Sequence, residues 1–150
     1  MSTEKYFSEI IKDLQKSFYD ERGRGARYRT TLVGVDYFKE KYGSDLKGND
    51  WTDAVEKVAD ALKKESIIDK AEFDGKGNVL NVEFYNCIHQ DVENSLAKYD
   101  IEPFSCPCAN LVMHYVDSFT GSNSELVSID VKDDKCVIVL GIVGSTLEEI

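Results

Sequence analysis

The residues best suited to chemistry are four cysteines and two histidines, and all six lie in the second half of the chain. Cys87, His89, Cys106, Cys108, His114 and Cys136 fall within a span of fifty residues. Cys87-Ile88-His89 and Cys106-Pro107-Cys108 are two close pairs of soft or borderline ligands. Thiolate and imidazole are the donors zinc prefers, usually four in a tetrahedron. Thiolates alone also suit iron–sulfur clusters. Metal ligation therefore draws on Cys87, Cys106, Cys108 and Cys136, with zinc the expected ion and an iron–sulfur cluster not excluded. Both pairs have one intervening residue, unlike the common structural zinc spacing of two to four. In a strand, such a gap puts both side chains on one face, so Cys87 and His89 can converge. Two other uses fit the same residues. Buried free cysteine behaves as a small hydrophobe, and Cys136 heads the apolar run CVIVLGIV. A cysteine beside a histidine is also the pairing of thiol nucleophiles.

A second concentration of chemistry is cationic. Arg22, Arg24, Arg27 and Arg29 fall within eight residues, interleaved with Gly23 and Gly25. Guanidinium forks bind carboxylate or phosphate bidentately, and glycine lets backbone approach a ligand. One use is an anion-binding entrance to a pocket through Arg24 and Arg27. The other is a solvated helix end paired with the chain's own carboxylates. Without a preceding strand or a G-x-G-x-x-G spacing, the segment is no dinucleotide site. Tyr85, on the same strand as Cys87, is a further ligand-binding candidate.

These residues need elements to position them. Tyr6, Phe7, Ile10, Ile11, Leu14 and Phe18 recur at helical spacing. Leu32, Val35, Phe38 and Tyr42 form a second stripe ending near Gly43. Asp50 caps a third helix that turns Val55, Val58, Ala59 and Leu62 inward. The period then changes. Ile67–Phe73 and Val79–His89 read as strands joined by Asp74–Asn78. On the second strand Leu80, Val82, Phe84 and Ile88 share one face; Asn81, Glu83, Tyr85, Cys87 and His89 share the other. A short helix begins at Asp91, and another starts at Pro107 and ends at Gly121. Leu126–Val131 and Cys136–Val143 form a final hairpin, and 146–150 reads as a frayed tail. Helices followed by β-β-α-α-β-β predict an α+β fold: N-terminal helices packed on one antiparallel sheet, built of two hairpins with intervening helices.

The whole chain of 150 residues reads as a single domain, with 1–66 mostly helical and 67–143 the hairpin-helix-hairpin part. A hydrophobic content of 42% argues against intrinsic disorder. The net charge of −10 speaks against a nucleic-acid surface, which needs clustered Lys and Arg to neutralise phosphates. No apolar run reaches the length of a membrane span, and charges occupy the start where a signal peptide needs an apolar stretch. The expectation is a cytoplasmic protein with no membrane or nucleic-acid partner.

The stretch from about Val79 to Ile142 resembles the 4-vinyl reductase domain family, the hydrocarbon-binding domains. The residues that carry this are Asn86-Cys87 at a strand end, Cys106-Pro107-Cys108 opening a helix, and Glu125 with Cys136 on the last hairpin. In that family's phenol-sensing members a cysteine–glutamate–cysteine–cysteine set binds zinc. The resemblance therefore implies Glu125, Cys136 and either Cys106 or Cys108 as ligands, with Ser128 standing at the remaining position. It also implies a homodimer and a pocket for a small apolar or aromatic molecule, in a small-molecule-binding or sensory domain. The same pattern is similar to aminothiazoline-carboxylate hydrolase-like proteins. That likeness implies the alternative, a cysteine-dependent hydrolase of a small heterocyclic or acyl substrate.

Overall fold

The computed structural model describes residues 3–28, 30–144 and 147, with the side chains of Arg27, Tyr28 and Ser44 outside the description. Five α-helices and four strands follow in the order α1 (Thr3–Arg22), α2 (Val35–Tyr42), α3 (Trp51–Lys64), β1 (Lys70–Lys76), β2 (Val79–Tyr85), α4 (Gln90–Ala97), α5 (Pro107–Thr120), β3 (Asn123–Val131) and β4 (Lys135–Val143). The strands make one antiparallel sheet in the order β1-β2-β4-β3. The fold is α+β, as the order of periodicities predicts.

Alternation decides which sheet face is buried. Leu80, Val82 and Phe84 of β2 stand opposite Leu140, Ile138 and Cys136 of β4, all of them buried. Against them pack α3, through Val55, Val58 and Leu62, and α5, through Leu111, Val112, Tyr115 and Val116. Each such aliphatic side chain contributes roughly 1.5–3 kcal/mol on full burial. The helix ends follow local rules. Asp50 accepts the backbone N–H of Asp53 at 2.7 Å, and Gly121 closes α5 with φ 71°.

Four details depart from the sequence expectation. Asp74–Lys76 belong to β1, since Asp74 pairs with Asn81 and accepts its side-chain N–H at 3.0 Å, which leaves Gly77-Asn78 as the turn. β2 ends at Tyr85, because Asn86 adopts φ 52°. That left-handed residue reverses the alternation: Cys87 turns into the core at 6% exposure and Ile88 out to 56%. The end of the chain is anchored at Leu147, which is buried and donates its N–H to Gly77 O at 2.7 Å; the rest of 145–150 lies outside the described residues.

The fourth departure concerns α1. Its helix forms as the stripe predicts, yet it has no buried residue. It meets α4 and the segment after it with its polar side: Lys12 and Lys16 lie over the Tyr99 ring, at 5.5 and 5.2 Å from its centroid. Only Phe18 and Tyr19 join a small cluster with Ala26, Val92, Leu96, Ile101 and Phe104. Tyr6, Phe7, Ile10, Ile11 and Leu14 face outward. Among the described residues no helix is long and apolar enough to cross a membrane.

Candidate metal centre

Three chain segments meet at one end of the sheet. The first is the turn 86–89 between β2 and α4. Asn86 donates its side-chain N–H to Asp69 at 2.7 Å and its backbone N–H to Asp134 O at 2.7 Å. Ile88 N–H donates to Ile67 O at 3.0 Å. These bonds fix the turn and aim Cys87 and His89 at each other; a strand does not, as the sequence spacing alone proposed. The second segment is the start of α5. Pro107 occupies its first turn, and Cys106 caps it, the thiol sulfur accepting Ala109 N–H at 3.3 Å. Cys108 follows within that first turn, fully buried. The third is α4, whose inward side carries Val92, Leu96 and, unexpectedly, Glu93.

The resulting distances are short. Cys87 Sγ lies 3.3 Å from His89 Nδ1 and 3.9 Å from Cys108 Sγ, and Cys108 Sγ lies 4.0 Å from His89 Nδ1. The three donor atoms fall within 4.8 Å of one another, a group that could hold a metal ion. Behind them, Cys136 Sγ donates to Glu93 Oε2 at 3.1 Å. Glu93 is 3% exposed, and its Oε1 has no hydrogen-bond partner among the described residues. A buried, half-satisfied carboxyl costs stability unless something completes it.

The electrostatics of the cluster are coupled. The hydrogen bond from Cys108 holds the Cys87 thiol down, to about 5, and His89 adds to that against the opposing effect of burial. Cys108 is pushed well up, by its bonds with Cys106 and Cys87 and by burial. Burial is the largest single influence on His89 and lowers it, but its hydrogen bond to Cys87 together with the negative charges of Cys87 and Glu93 turns the net direction up. Burial raises Glu93 to about 7, against the lowering effect of its Cys136 bond. Cys136 is raised by burial and then by Glu93. The bonds from Cys108 and His89 thus favour the thiolate form of Cys87.

Of the cysteines singled out as ligands, the structure brings Cys87 and Cys108 together with His89. Cys106 is engaged as the cap of α5 and Cys136 with Glu93. Glu125 and Ser128, on the pattern of the resemblance, are not brought to the cluster. Both are exposed, and Glu125 pairs with Gly141, well along β4 from Cys136. Tyr85 stands on the outer sheet face, donates to Glu83 at 3.2 Å, and has Lys70 and Lys135 over its ring. Arg24 is exposed on the 3-10 turn Gly23–Tyr28, and the Arg27 side chain lies outside the described residues. Glu93 was missed. Its signal was an acidic residue one place from Val92 and three from Leu96, on the face that a short amphipathic helix must bury.

Three surface clefts bear on ligand binding. The largest, about 750 Å³, lies along β1 beside Trp51, Thr52 and Glu56. A second, about 430 Å³, lies between Thr31-Leu32, the His114 side of α5 and the start of β3. A third, about 390 Å³, runs over Glu72, Asp74 and Glu83 on the outer sheet face. None of the three is lined by Cys87, His89, Cys108 or Glu93. Cys87 and Cys108 of the cluster are buried and His89 is half-buried. No known family model matches this chain, and no curated protein matches it.

Proposed function

We propose that the protein is a zinc-binding domain in which Cys87, His89 and Cys108 ligate the ion through Sγ, Nδ1 and Sγ. One observation carries this. Zinc bonds of about 2.3 Å to sulfur and about 2.0–2.1 Å to nitrogen, at tetrahedral angles, put two sulfurs about 3.8 Å apart and a sulfur about 3.5 Å from a nitrogen. The three donor separations are 3.9, 3.3 and 4.0 Å. The fourth position falls to a water or other small donor; Glu93, whose buried Oε1 has no hydrogen-bond partner among the described residues, stands behind the three ligands with Cys106 and Cys136. The metal would tie the turn after β2 to the start of α5, two segments that no strand ladder joins.

The wider reading is a small-molecule-binding or sensory module of the 4-vinyl reductase type. The order of helices, hairpin, two helices and hairpin around one antiparallel sheet supports it. The ligand would be a small apolar or aromatic molecule, with Arg24, Arg27 and Tyr85 available to a polar group on it. A second copy of the chain as partner is supported by the outward apolar stripe of α1.

Elemental analysis of protein purified without chelator or immobilised nickel tests the metal. About one zinc per chain and no visible colour is the expected result; iron and a brown colour would transfer the site to iron–sulfur chemistry. Cys108→Ser lowers both the zinc content and the melting temperature. If neither changes, the metal reading fails.

The Cys87–His89 pair favours one second reading, the thiol-dependent hydrolase, with Cys87 as nucleophile and His89 as base. It requires fast, selective alkylation of Cys87 at neutral pH by an acyl-sized reagent. Uniformly slow labelling of all four cysteines removes it.

A further inference from the structure

We infer that Cys87 and Cys108 form a hydroperoxide-sensitive dithiol, closing to a disulfide that ejects the bound metal. The metal release rests on the reading above; the dithiol chemistry does not need it.

The argument begins with proximity. The two sulfurs are 3.9 Å apart and a disulfide bond is about 2.05 Å long, so they need to close by roughly 2 Å. Cys87 sits in a turn and Cys108 in the first turn of a helix, with His89 Nδ1 beside both sulfurs at 3.3 and 4.0 Å. Of the two remaining cysteines, Cys106 also bonds to Cys108, but it is its near neighbour on the same helix start, whereas Cys87 comes from another segment. Cys106 accepts the Ala109 N–H, and Cys136 donates to Glu93. Reach comes next. Of the four buried thiols, Cys87 has the largest exposed fraction, at 6% against 2%, 0% and 1% for Cys106, Cys108 and Cys136. It is flanked by the exposed Ile88. Cys87 is thus the cysteine nearest solvent, and a small oxidant is the reagent best suited to reach it. Burial also sets the order of events: Cys87, the less buried of the pair, meets the oxidant first, and Cys108, at 0% exposure, resolves it.

The step balances as follows. The Cys87 thiolate attacks the distal oxygen of a hydroperoxide, ROOH, forming the sulfur–oxygen bond of a sulfenic acid. The peroxide O–O bond breaks, and the departing RO⁻ takes a proton to become an alcohol, or water when the oxidant is hydrogen peroxide. The Cys108 thiol then attacks Cys87 sulfur, giving up its proton to the departing hydroxide, which leaves as water. The two sulfurs lose two electrons in total, and the hydroperoxide gains them. A disulfide is a poor zinc ligand, so the ion is left with His89 alone of the three ligands and departs. A dithiol reductant reverses the oxidation, and zinc rebinds.

The test treats zinc-reconstituted protein and chelator-stripped protein with hydrogen peroxide. The free thiol count, released zinc and a non-reducing peptide map are then read. The expected result is a fall from four free thiols to two, a single Cys87–Cys108 linkage, release of the bound zinc, and recovery of both after dithiothreitol. Cys106→Ser retains this response. Cys108→Ser halts at a sulfenic acid on Cys87 that dimedone traps. Unchanged thiols, or a Cys106–Cys108 linkage instead, overturns the inference; zinc binding would still stand if zinc had been present. A Cys87–Cys108 linkage in protein that never held zinc supports the dithiol and sinks the metal reading, so the two fail separately.

Discussion

Glu93→Gln separates the cost of a buried acid from its use. In the metal-free protein the Glu93 carboxyl is raised from 4.5 to about 7, chiefly by burial. Its folded-state value lies above its unfolded one, so the folded protein keeps a proton that the unfolded chain has released. Stability is then lost as pH rises from about 4.5 to about 7. Between about pH 5 and about pH 8 this amounts to about 2.5 kcal/mol for that shift. Glutamine has the same shape and does not titrate, so the variant lacks the loss. Cys87, His89, Cys108 and Cys136 titrate in both proteins, so subtracting one pH profile from the other leaves the glutamate together with its own effect on His89 and Cys136. The assay is urea unfolding of chelator-treated wild type and variant at the two pH values. The variant should gain on the wild type by about 2.5 kcal/mol on going to the higher pH. With zinc present the order reverses, because a nearby divalent cation stabilises the carboxylate, and metal affinity falls by roughly 10- to 100-fold in the variant. A stability difference that does not change with pH would falsify the burial argument. Unchanged zinc affinity would remove Glu93 from the site.

Asn86→Ala should cost about 1–2 kcal/mol, because it forces alanine into the left-handed region and removes the bond to Asp69. Asn86→Gly should recover the backbone part while still lacking the side-chain bond. Chemical denaturation reads both, and equal losses would show that the backbone conformation at 86 is not what matters. Leu14→Glu places a charge in the outward stripe of α1. Light scattering should show the wild type as a dimer and the variant as a monomer with an unchanged melting profile; a monomeric wild type refutes the dimer.

Much of the fold was legible because its signals are local. Asp50, Pro107 and Gly121 mark helix ends by chemistry within one turn. The alternation in β2 and β4 fixes which residues face the helices, since a one-residue slip would turn Leu80, Val82, Ile138 and Leu140 to the other face. Residue types alone marked the region of Cys87 to Cys136 as the place for metal or thiol chemistry.

The composition of the site was a tertiary decision. The pairing of Cys87 with His89 follows from one left-handed residue, Asn86, and its bonds to Asp69 and Asp134, partners that lie distant in sequence. Which cysteine joins them depends on how α5 docks against the end of β2. That docking leaves Cys108 facing the cluster while Cys106 caps the helix. Glu93 entered for the same reason: burying Val92 and Leu96 of α4 takes the neighbouring carboxyl inward, beside Cys136. The apolar stripe of α1 predicted a helix correctly and its burial wrongly. Periodicity reports that a face is apolar, but only packing determines whether this chain's own body covers it.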